Sequence, residues 1–492
     1  MRAVAAAPSR SLPLVLSRHL APAGVVALAG ALRFTELSAR GFWRDEAVTV
    51  RLVRRSFGGM LSAIPHSEGT PPVYYVLLWG WTRIFGSHEA GLRSLSALAG
   101  TAAVAVVYAI GVELFSRRVA LAAALLAAVN PLLVWHSQDG RAYALFTLVG
   151  GLSFLTFLRA LDHPSNRALA AWAVVSALAL GTHYFGIFLL VPEAVTLLAV
   201  LRPRRRLIPP IVAIAAVGAA LLPLALDQRS NASVSWIAEI PRAQRLRELA
   251  EQFLVGPQSP RTTSLALLGL VGILVGVVLL LARGDDRERR GALIAFGVGG
   301  GAVVLAFVLS FAGVDYFLAR NLIVAWVPLA LVVAAGLAGN RAGIVGAAVL
   351  TAMLVLGVAV VVATAHDPKF GGEDWRGAAR ALGRPTEPRA VVLWLGVGAD
   401  PFDLYRQNAG PLQTGGARVR EVDVVSVGPD HADLGARRAH LYPPSPFRQV
   451  GRTDAAHYSI VRFRAPSPQL VRRSSLVSGG PGYSAAVLLD QR

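Results

Sequence analysis

Long apolar blocks separated by short polar segments run through the first three quarters of the chain. About 19 apolar residues are the length that a helix needs to cross the hydrocarbon core of a bilayer. We predict a membrane-spanning helix near each of eleven blocks: 19–37, 94–115, 119–135, 143–160, 168–181, 183–201, 207–226, 264–282, 291–312, 318–338 and 342–365. The pattern therefore predicts a polytopic α-helical membrane domain over residues 1–365.

The polar segments between the blocks form two alternating sets. The first set is rich in arginine, as in 202-RPRRR-206 and 283-RGDDRERR-290. The short loops of the second set are nearly free of arginine apart from Arg141, and the set comprises 38–93, 136–142, the loop around 182, 227–263 and 313–317. Because arginine-rich loops stay in the cytoplasm, we predict that the second set faces outward. Eleven spans place residues 366–492 outside as well.

Two of the predicted outer segments are long enough to fold. Within the first outer loop, 38–93, the stretch 71-PPVYYVLLWGWTRIFG-86 is short and aromatic, which is typical of a helix lying in the membrane interface. Residues 366–492 combine a helical pattern at 374-DWRGAARAL-382 with strand-like runs at 390–398, 418–427, 458–464 and 485–490. We predict a small extracytoplasmic α/β domain there.

Composition supports the membrane interpretation and narrows the chemistry. The chain is 54% hydrophobic and only 16% charged, whereas soluble domains carry about 25% charged residues. Its net charge of +19 comes from arginines in loops between apolar blocks, so we attribute it to topology and predict no nucleic acid as a partner. The absence of cysteine excludes thiol chemistry and cysteine-ligated zinc.

The stretch 41-GFWRDEAVTV-50 places Arg44, Asp45 and Glu46 directly after the first predicted span. A carboxylate at the edge of low dielectric can act as a general base or bind a divalent cation. Acids at this position also favour the start of a helix, here over about 45–57. The sequence leaves both interpretations open.

A second outer loop, 136-HSQDGRAYAL-145, offers Asp139, Arg141 and Tyr143 at the membrane edge. These residues could belong to a site, or Asp139 could cap the next span while Tyr143 anchors it in the interface. Because two outer loops each offer an acid and an arginine, we expect them to converge on one site.

Arg320 lies just inside a predicted span, where an unpaired charge is expensive. It needs an anionic partner, either Asp315 or a phosphate, for which the planar guanidinium is well suited. Arg93 opens the second span in a similar position. The complete set of candidate substrate-binding residues is Arg44, His66, Glu68, Tyr74, Arg93, Asp139, Arg141, Tyr143, His183, Tyr184 and Arg320.

Several common nucleotide and hydrolase motifs do not occur in the sequence. It has no P-loop, Rossmann glycine fingerprint, HExxH or GxSxG motif. Without a nucleotide cradle, a soluble nucleotide-activated donor is disfavoured as the direct reactant.

An ordered set of motifs resembles a known family. The acidic pair at 45–46 is followed by 70-TPPVYYVLLWGWTRIFGSHEAGLRSLSAL-98, 137-SQDGRAYAL-145, 182-THYFGIFLL-190 and 374-DWRGAAR-380. In this order they resemble bacterial GT-C glycosyltransferases of the protein-mannosyltransferase and lipid A aminoarabinose-transferase type. The resemblance extends over roughly residues 35–380.

The resemblance implies the GT-C fold and an activity. A sugar would move, with inversion, from a polyprenyl-phosphate donor to an envelope glycan, glycolipid or protein at the extracytoplasmic face of a bacterial plasma membrane. Asp45 would be the catalytic carboxylate, Glu46 its neighbour in the catalytic pair, and Arg320 a contact for the lipid phosphate. Mg²⁺ or Mn²⁺ could bind at Asp45. The family suggests mannose, while arabinose and other sugars stay open.

One position departs from the family pattern. The family often has histidine or lysine directly before the Pro-Pro pair, and Thr70 stands there in this chain. Phosphate binding would therefore fall to arginines.

The main alternative from another functional class is a membrane transporter or lipid flippase, which would require acids near the bilayer centre. The predicted spans are nearly acid-free, with Glu193 as an isolated exception and Glu113 near a cytoplasmic end. A catalytically inactive scaffold is a further alternative.

Overall fold

The computed structural model describes residues 12–231, 235–367, 370, 372–394, 400–428, 443, 445–476 and 486–491. The helices of its membrane part are α1 Leu12–Phe34, α2 Arg44–Val53, α3 Phe57–Ser67, α4 Val73–Phe85, α5 Glu89–Leu114, α6 Arg117–Val129, α7 Pro131–Ser137, α8 Tyr143–Asp162, α9 Asn166–Thr182, α10 Gly186–Val200, α11 Ile208–Asn231, α12 Ser235–Glu239, α13 Arg242–Val255, α14 Thr262–Arg283, α15 Asp286–Leu309, α16 Ile323–Ala338 and α17 Gly343–His366. Short 3₁₀ turns at Arg204–Leu207 and Ala319–Leu322 precede α11 and α16.

Each of the eleven predicted apolar blocks is helical in the structure. Within the described residues, seven helical segments are long and apolar enough to cross a membrane, and the bent pair α6–α7 would make an eighth. Leu20–Phe34 and Gly186–Val200 are apolar but shorter. The chain is therefore a multi-pass membrane protein, while the predicted number of eleven spans is not confirmed.

The block predicted at 119–135 is interrupted by a bend of 58° between α6 and α7. Pro131 cannot donate an N–H to the preceding turn, so α6 ends before it and α7 begins at it. Asn130 caps α7 by accepting the Leu133 N–H at 3.1 Å, and its side-chain amide donates to the Phe253 carbonyl at 2.9 Å. The bend thereby joins the start of α7 to the end of α13.

The core of the bundle is built around α16, whose spanning window is 94% buried. Small residues let its neighbours approach closely: a Cβ on Gly336 of α16 would lie 1.9 Å from the carbonyl oxygen of Gly276 in α14. By contrast, α11 and α17 bury only 11% and 17% of their windows. Their exposed apolar surfaces are suited to contact with lipid.

The C-terminal part forms a six-stranded mixed sheet with short helices, which confirms the predicted small sheet domain. Its elements are α18 Trp375–Ala381, β1 Arg389–Trp394, α19 Asp400–Tyr405, β2 Ala409–Pro411, β3 Ala417–Val427, β4 Arg448–Asp454, β5 Tyr458–Val471, α20 Arg473–Leu476 and β6 Ala486–Asp490. The strand order is β2-β6-β1-β3-β5-β4, with β1 and β3 parallel and the other neighbours antiparallel. The last residues of the strand predicted at 390–398 lie outside the described residues.

The first outer loop also folds as helices. The stretch predicted to be an interfacial helix is α4, and the acidic pair lies in the first turn of α2. The helix-start interpretation of Asp45 and Glu46 is therefore correct as a description of local structure, and their surroundings decide whether they also belong to a site.

Candidate active site

Five segments meet around one cavity of about 420 Å³, and four of them come from the predicted outer set. Its lining residues are Arg40, Gly41, Trp43 and Glu46 with Arg93, together with residues from 135–143, 240–258, 318–320 and 372–373. Asp45 and Arg44 are not among the lining residues. These segments therefore lie at the same end of the helical bundle.

Glu46 is completely buried at one wall of this cavity. Its carboxylate accepts hydrogen bonds from Nε and Nη2 of Arg93 at 2.7 and 2.5 Å, from the Gly140 N–H at 2.8 Å and from the Trp43 N–H at 3.4 Å. Both oxygens are thus occupied by donors from α5, from the second outer loop and from its own helix start. Glu46 fixes the beginning of α2 to two other parts of the site.

The guanidinium group of Arg93 is likewise fully used in hydrogen bonds. In addition to Glu46, its guanidinium donates to the backbone carbonyls of Leu37, Arg40 and Gly41 at 2.8 to 2.9 Å. Since arginine has five N–H groups, this arrangement uses each of them within the protein. Arg93, predicted to contact substrate, here binds the chain segment that leads to the acidic pair.

Asp45 lies one residue before Glu46 and has different surroundings. It is partly exposed, and the described residues provide no hydrogen bond to its carboxylate. Its backbone carbonyl accepts from Arg141 at 3.2 Å. Arg44 is exposed, and its backbone N–H donates to Glu373 at 3.1 Å. Of the two acids, Asp45 is the one whose carboxylate makes no hydrogen bond to the described residues, while Glu46 is the one that lines the cavity.

Asp139, from the second outer loop, is buried in another wall of the cavity. Its Oδ1 accepts from the Trp43 indole N–H at 2.9 Å, and its Oδ2 lies 3.7 Å from Nδ1 of His136. Those last two atoms are buried without a hydrogen-bond partner in the described protein. The Tyr143 ring packs on His136, with centroids 4.6 Å apart. This wall therefore presents polar atoms with unused hydrogen-bonding capacity.

Arg320 is half-buried on the 3₁₀ turn before α16 and lines the same cavity. It lies within electrostatic range of Tyr143 and His183. Asp315, one of the partners considered for it, forms a two-point ion pair with Arg245 at 2.5 and 2.9 Å. These hydrogen bonds lower the pKa of Asp315.

Arg141 and Glu68 contact each other rather than the cavity. Their buried side chains form an ion pair at 2.8 Å, and Arg141 also donates to Thr49 Oγ1 at 3.0 Å. Burial raises the pKa of Glu68. The pair ties the second outer loop to α2 and to the turn between α3 and α4.

Four other predicted residues do not line the cavity. Tyr74 is buried with its hydroxyl 3.3 Å from Ser96 Oγ, and His183 is buried behind Tyr143. Tyr184 donates to the side chain of Gln228 at 2.8 Å. His66 is exposed at the end of α3.

The cavity also contains residues that the sequence interpretation did not select. Arg40 lies over the ring of Trp135 at 4.2 Å. Glu248 and Gln252 come from α13, whose charged face follows a helical period in the sequence and could have been recognised. Glu373 accepts from Arg44 and, at 2.7 Å, from the Trp375 indole N–H, and burial raises its pKa. The only sequence signal for Glu373 is the 374-DWRGAAR-380 motif beside it.

In the part of the chain that the structure describes, no group of three or more His, Asp or Glu side chains could hold a metal ion. Mg²⁺ is often held by one or two carboxylates together with a substrate phosphate. Mg²⁺ or Mn²⁺ at Asp45 therefore stays a prediction.

Comparison with known proteins bears on the fold and on part of the sequence. Residues 69–226 match the family model described as dolichyl-phosphate-mannose-protein mannosyltransferase. No curated protein sequence matches the chain.

Solved structures resemble the chain over most of its length. ArnT from Cupriavidus metallidurans, solved bound to undecaprenyl phosphate, superposes with a TM-score of 0.54 at 15% identity, covering 92% of this chain and 98% of that one. Its apo state gives 0.55. The oligosaccharyltransferase of Archaeoglobus fulgidus reaches only 0.45 at 15% identity, over 75% of this chain and 58% of its own.

The chain therefore has the GT-C fold, and the resemblance inferred from its motifs is confirmed. Within that fold class, the segment from the turn before α4 to α11 carries the protein-mannosyltransferase type of sequence.

Proposed function

We propose that this protein is an inverting glycosyltransferase that moves a sugar from a polyprenyl-phosphate donor to an acceptor at the extracytoplasmic face of a bacterial plasma membrane. The observation that carries the proposal is the contrast between the two adjacent acids. Glu46 is buried and occupied by four hydrogen bonds, whereas the carboxylate of Asp45 is unengaged by the described residues. The GT-C fold and the family match over 69–226 support the same reaction class.

Asp45 acts as the general base in this proposal. It takes the proton from an acceptor hydroxyl while the hydroxyl oxygen attacks the anomeric carbon of the sugar. The bond from that carbon to the phosphate oxygen breaks, and polyprenyl phosphate leaves with the electron pair, so the configuration inverts. A phosphate leaving group needs no separate acid, so the reaction requires only one carboxylate as base.

Arginine stabilises the charge that grows on the leaving phosphate. Arg320 is the proposed contact because it lines the cavity from the 3₁₀ turn before α16. Arg40 lines the same cavity and is a second candidate.

Donor sugar and acceptor are proposed only as classes. The family model names mannose for its members, and mannose is our first choice, with arabinose and other pentoses or hexoses as alternatives. The acceptor is an envelope glycan, glycolipid or protein. The cavity walls combine aromatic and polar groups such as Trp135, Tyr143 and Gln252, which suit sugar rings and hydroxyls.

The surroundings of Glu193 favour a transferase over the alternative of a transporter or flippase. This acid is fully buried and accepts from Ser153 and from the Trp172 indole N–H, each at 2.8 Å. Its Oε2 therefore links α8, α9 and α10, and Glu193 is not among the residues that line the cavity.

The test uses the purified full chain in lipid nanodiscs with polyprenyl phosphates that carry mannose, arabinose or glucose. Released polyprenyl phosphate and the transferred mass are measured by mass spectrometry. We expect Asp45→Asn to lower transfer by about 100-fold or more. Glu36→Gln, an exposed acid before the same segment, is the matched control and should transfer like wild type. A folded Asp45→Asn protein with wild-type transfer would refute the mechanism.

A further inference from the structure

The segment that leads into the acidic pair has no regular secondary structure between α1 and α2. Five consecutive backbone carbonyls in it, those of residues 37–41, nevertheless each accept a hydrogen bond from an arginine side chain. Arg93 of α5 binds the first and the last two. Arg376 of α18, in the C-terminal domain, binds the two between them. Two domains thus share the task of holding one short strip of backbone.

Two of the next three backbone N–H groups are held by the C-terminal domain, while the Trp43 N–H between them donates to Glu46. The Phe42 N–H donates to the Tyr405 hydroxyl at 2.7 Å, and the Arg44 N–H donates to Glu373 at 3.1 Å. The Tyr405 hydroxyl donates in turn to Glu89, the first residue of α5, at 2.8 Å. These contacts reach the residue directly before Asp45.

Further contacts dock the same domain beside this segment. Arg376 pairs with Glu89 at 3.3 Å, and Arg51 of α2 pairs with Asp400 and Asp403 of α19. Partly exposed ion pairs are individually weak, about 0–1 kcal/mol. The position of the domain therefore depends on the whole set of polar contacts.

We infer that the C-terminal domain is a positioning element of the active site, in which Glu373, Arg376 and Tyr405 hold four backbone groups between residues 38 and 44 so that Asp45 meets the acceptor. This inference rests on the proposed function. Without these three residues, the Ser38 and Ala39 carbonyls and the Phe42 and Arg44 N–H groups lose the partners that the C-terminal domain provides. Since a displacement of about 1 Å can cost about 100-fold in rate, losing these contacts reduces transfer without removing any reacting group.

Glu373 also lines the cavity, so its substitution can distinguish a positioning role from a role in proton transfer. A positioning residue needs only an oxygen that accepts from the Arg44 and Trp375 N–H groups, and a glutamine can supply one. A proton-transferring residue needs the ionisable carboxyl itself.

The first experiment compares Glu373→Gln, Glu373→Ala and Tyr405→Phe in the full chain by kcat, KM and hydrogen exchange of residues 37–46. We expect Glu373→Ala and Tyr405→Phe to lower kcat by about 10- to 100-fold, to change KM by less than about threefold and to speed exchange in this segment. Glu373→Gln should stay within about fivefold of wild type. Loss in Glu373→Gln as deep as in Asp45→Asn would overturn the inference, as would full activity in Glu373→Ala and Tyr405→Phe.

The second experiment restores the contact covalently. The chain has no cysteine, and a Cβ on Gly41 would lie 3.0 Å from Cβ of Arg376. The Cβ atoms of a disulfide are about 3.5–4.5 Å apart, so the two backbones must separate by roughly 0.5 Å to accept one. We expect the double variant Gly41→Cys/Arg376→Cys to be poorly active when reduced and to regain at least about tenfold when oxidised. The single variants, treated with the same oxidant, are the controls and should not respond.

The outcomes separate the two proposals. A wild-type chain that transfers none of the donor sugars overturns the proposed function and the positioning role with it. An active wild-type chain whose cross-linked double variant, verified by mass, is no more active than its reduced form overturns the positioning role alone.

Discussion

The first outer loop and the C-terminal sheet each bury an arginine against carboxylate oxygens, and the 420 Å³ cavity is lined by the first of these arginines, Arg93, but not by Arg389. Arg389 of β1 donates to Asp490 at 2.9 Å, to Asp423 at 3.0 Å and to two backbone carbonyls. Arg93 is bonded in much the same way to Glu46 and three carbonyls. The two networks differ in what adjoins them. Arg389 lies in β1 between β3 and β6. Glu46 directly follows Asp45, whose carboxylate makes no hydrogen bond to the described residues. A buried arginine network is therefore no sign of a site by itself.

The largest expected effect comes from breaking the network at the site. Arg93→Met leaves Glu46 buried without its cation and frees three carbonyls, so it should lower the free energy of unfolding by about 3–5 kcal/mol. Transfer should fall by about 100-fold or more because Asp45 loses its support. Arg389→Met is the matched variant in the sheet, assayed below its unfolding transition. It should lose comparable stability, and its transfer should fall less than that of Arg93→Met, because Arg389 holds the end of α18 and makes no contact with residues 37–46 itself. Equal losses of activity in both variants would contradict the comparison.

Neutralising the two adjacent acids should change the free energy of unfolding by very different amounts. Glu46→Gln weakens a buried ion pair and should cost about 3 kcal/mol of stability, measured by thermal or denaturant unfolding in nanodiscs. Asp45→Asn, whose carboxylate makes no hydrogen bond with the described residues, should stay within about 0.5 kcal/mol of wild type. Equal stability loss in the two variants would show that Asp45 also has a structural role.

A smaller effect is expected from a side chain at Gly140, whose backbone N–H donates to Glu46. A Cβ on Gly140 would lie 2.5 Å from Cδ2 of Leu92 and 3.2 Å from Oε1 of Glu46. Gly140→Ala should therefore cost about 1–3 kcal/mol by overpacking and reduce transfer several-fold. Gly451→Ala in the sheet has open space around its Cβ and is the control. If both variants lose the same free energy of unfolding, close packing against Leu92 and Glu46 is not the reason that position 140 requires glycine.

The smallest expected effect is a dependence of stability on pH. Burial raises the pKa of Glu373 above its ordinary value of 4.5, so the folded chain retains this proton at a pH where the unfolded chain has lost it. The contribution is fully present below 4.5 and is lost as pH rises through the folded-state pKa. The free energy of unfolding of Glu373→Gln, measured as a function of pH, should lack this contribution. A slope that persists in the variant must come from another group.

The helices were predictable because each apolar block is a local property of the sequence. The same holds for α4, for the start of α2 and for strands such as β3 and β5. The partners of the site residues were not predictable in this way, because they come from distant parts of the chain: Glu46 meets Arg93 and Gly140, and residues 38–44 meet Arg376 and Tyr405. Nothing in the local pattern distinguishes an arginine that binds its own backbone from one that binds a phosphate. The selection of Arg320 therefore stays a prediction.

The strip of carbonyls at residues 37–41 has a consequence for sequence divergence. Arg93 and Arg376 recognise main-chain oxygens, so they constrain the path of this segment and not the identity of its side chains. Relatives with the same path are thus free to vary at positions such as Ser38 and Ala39. Gly41 is the exception, since a Cβ there would lie 3.0 Å from Arg376 and 3.3 Å from the Tyr405 hydroxyl. We expect substitutions at Gly41 to coincide with changes at those two contacts, which an alignment of relatives would reveal.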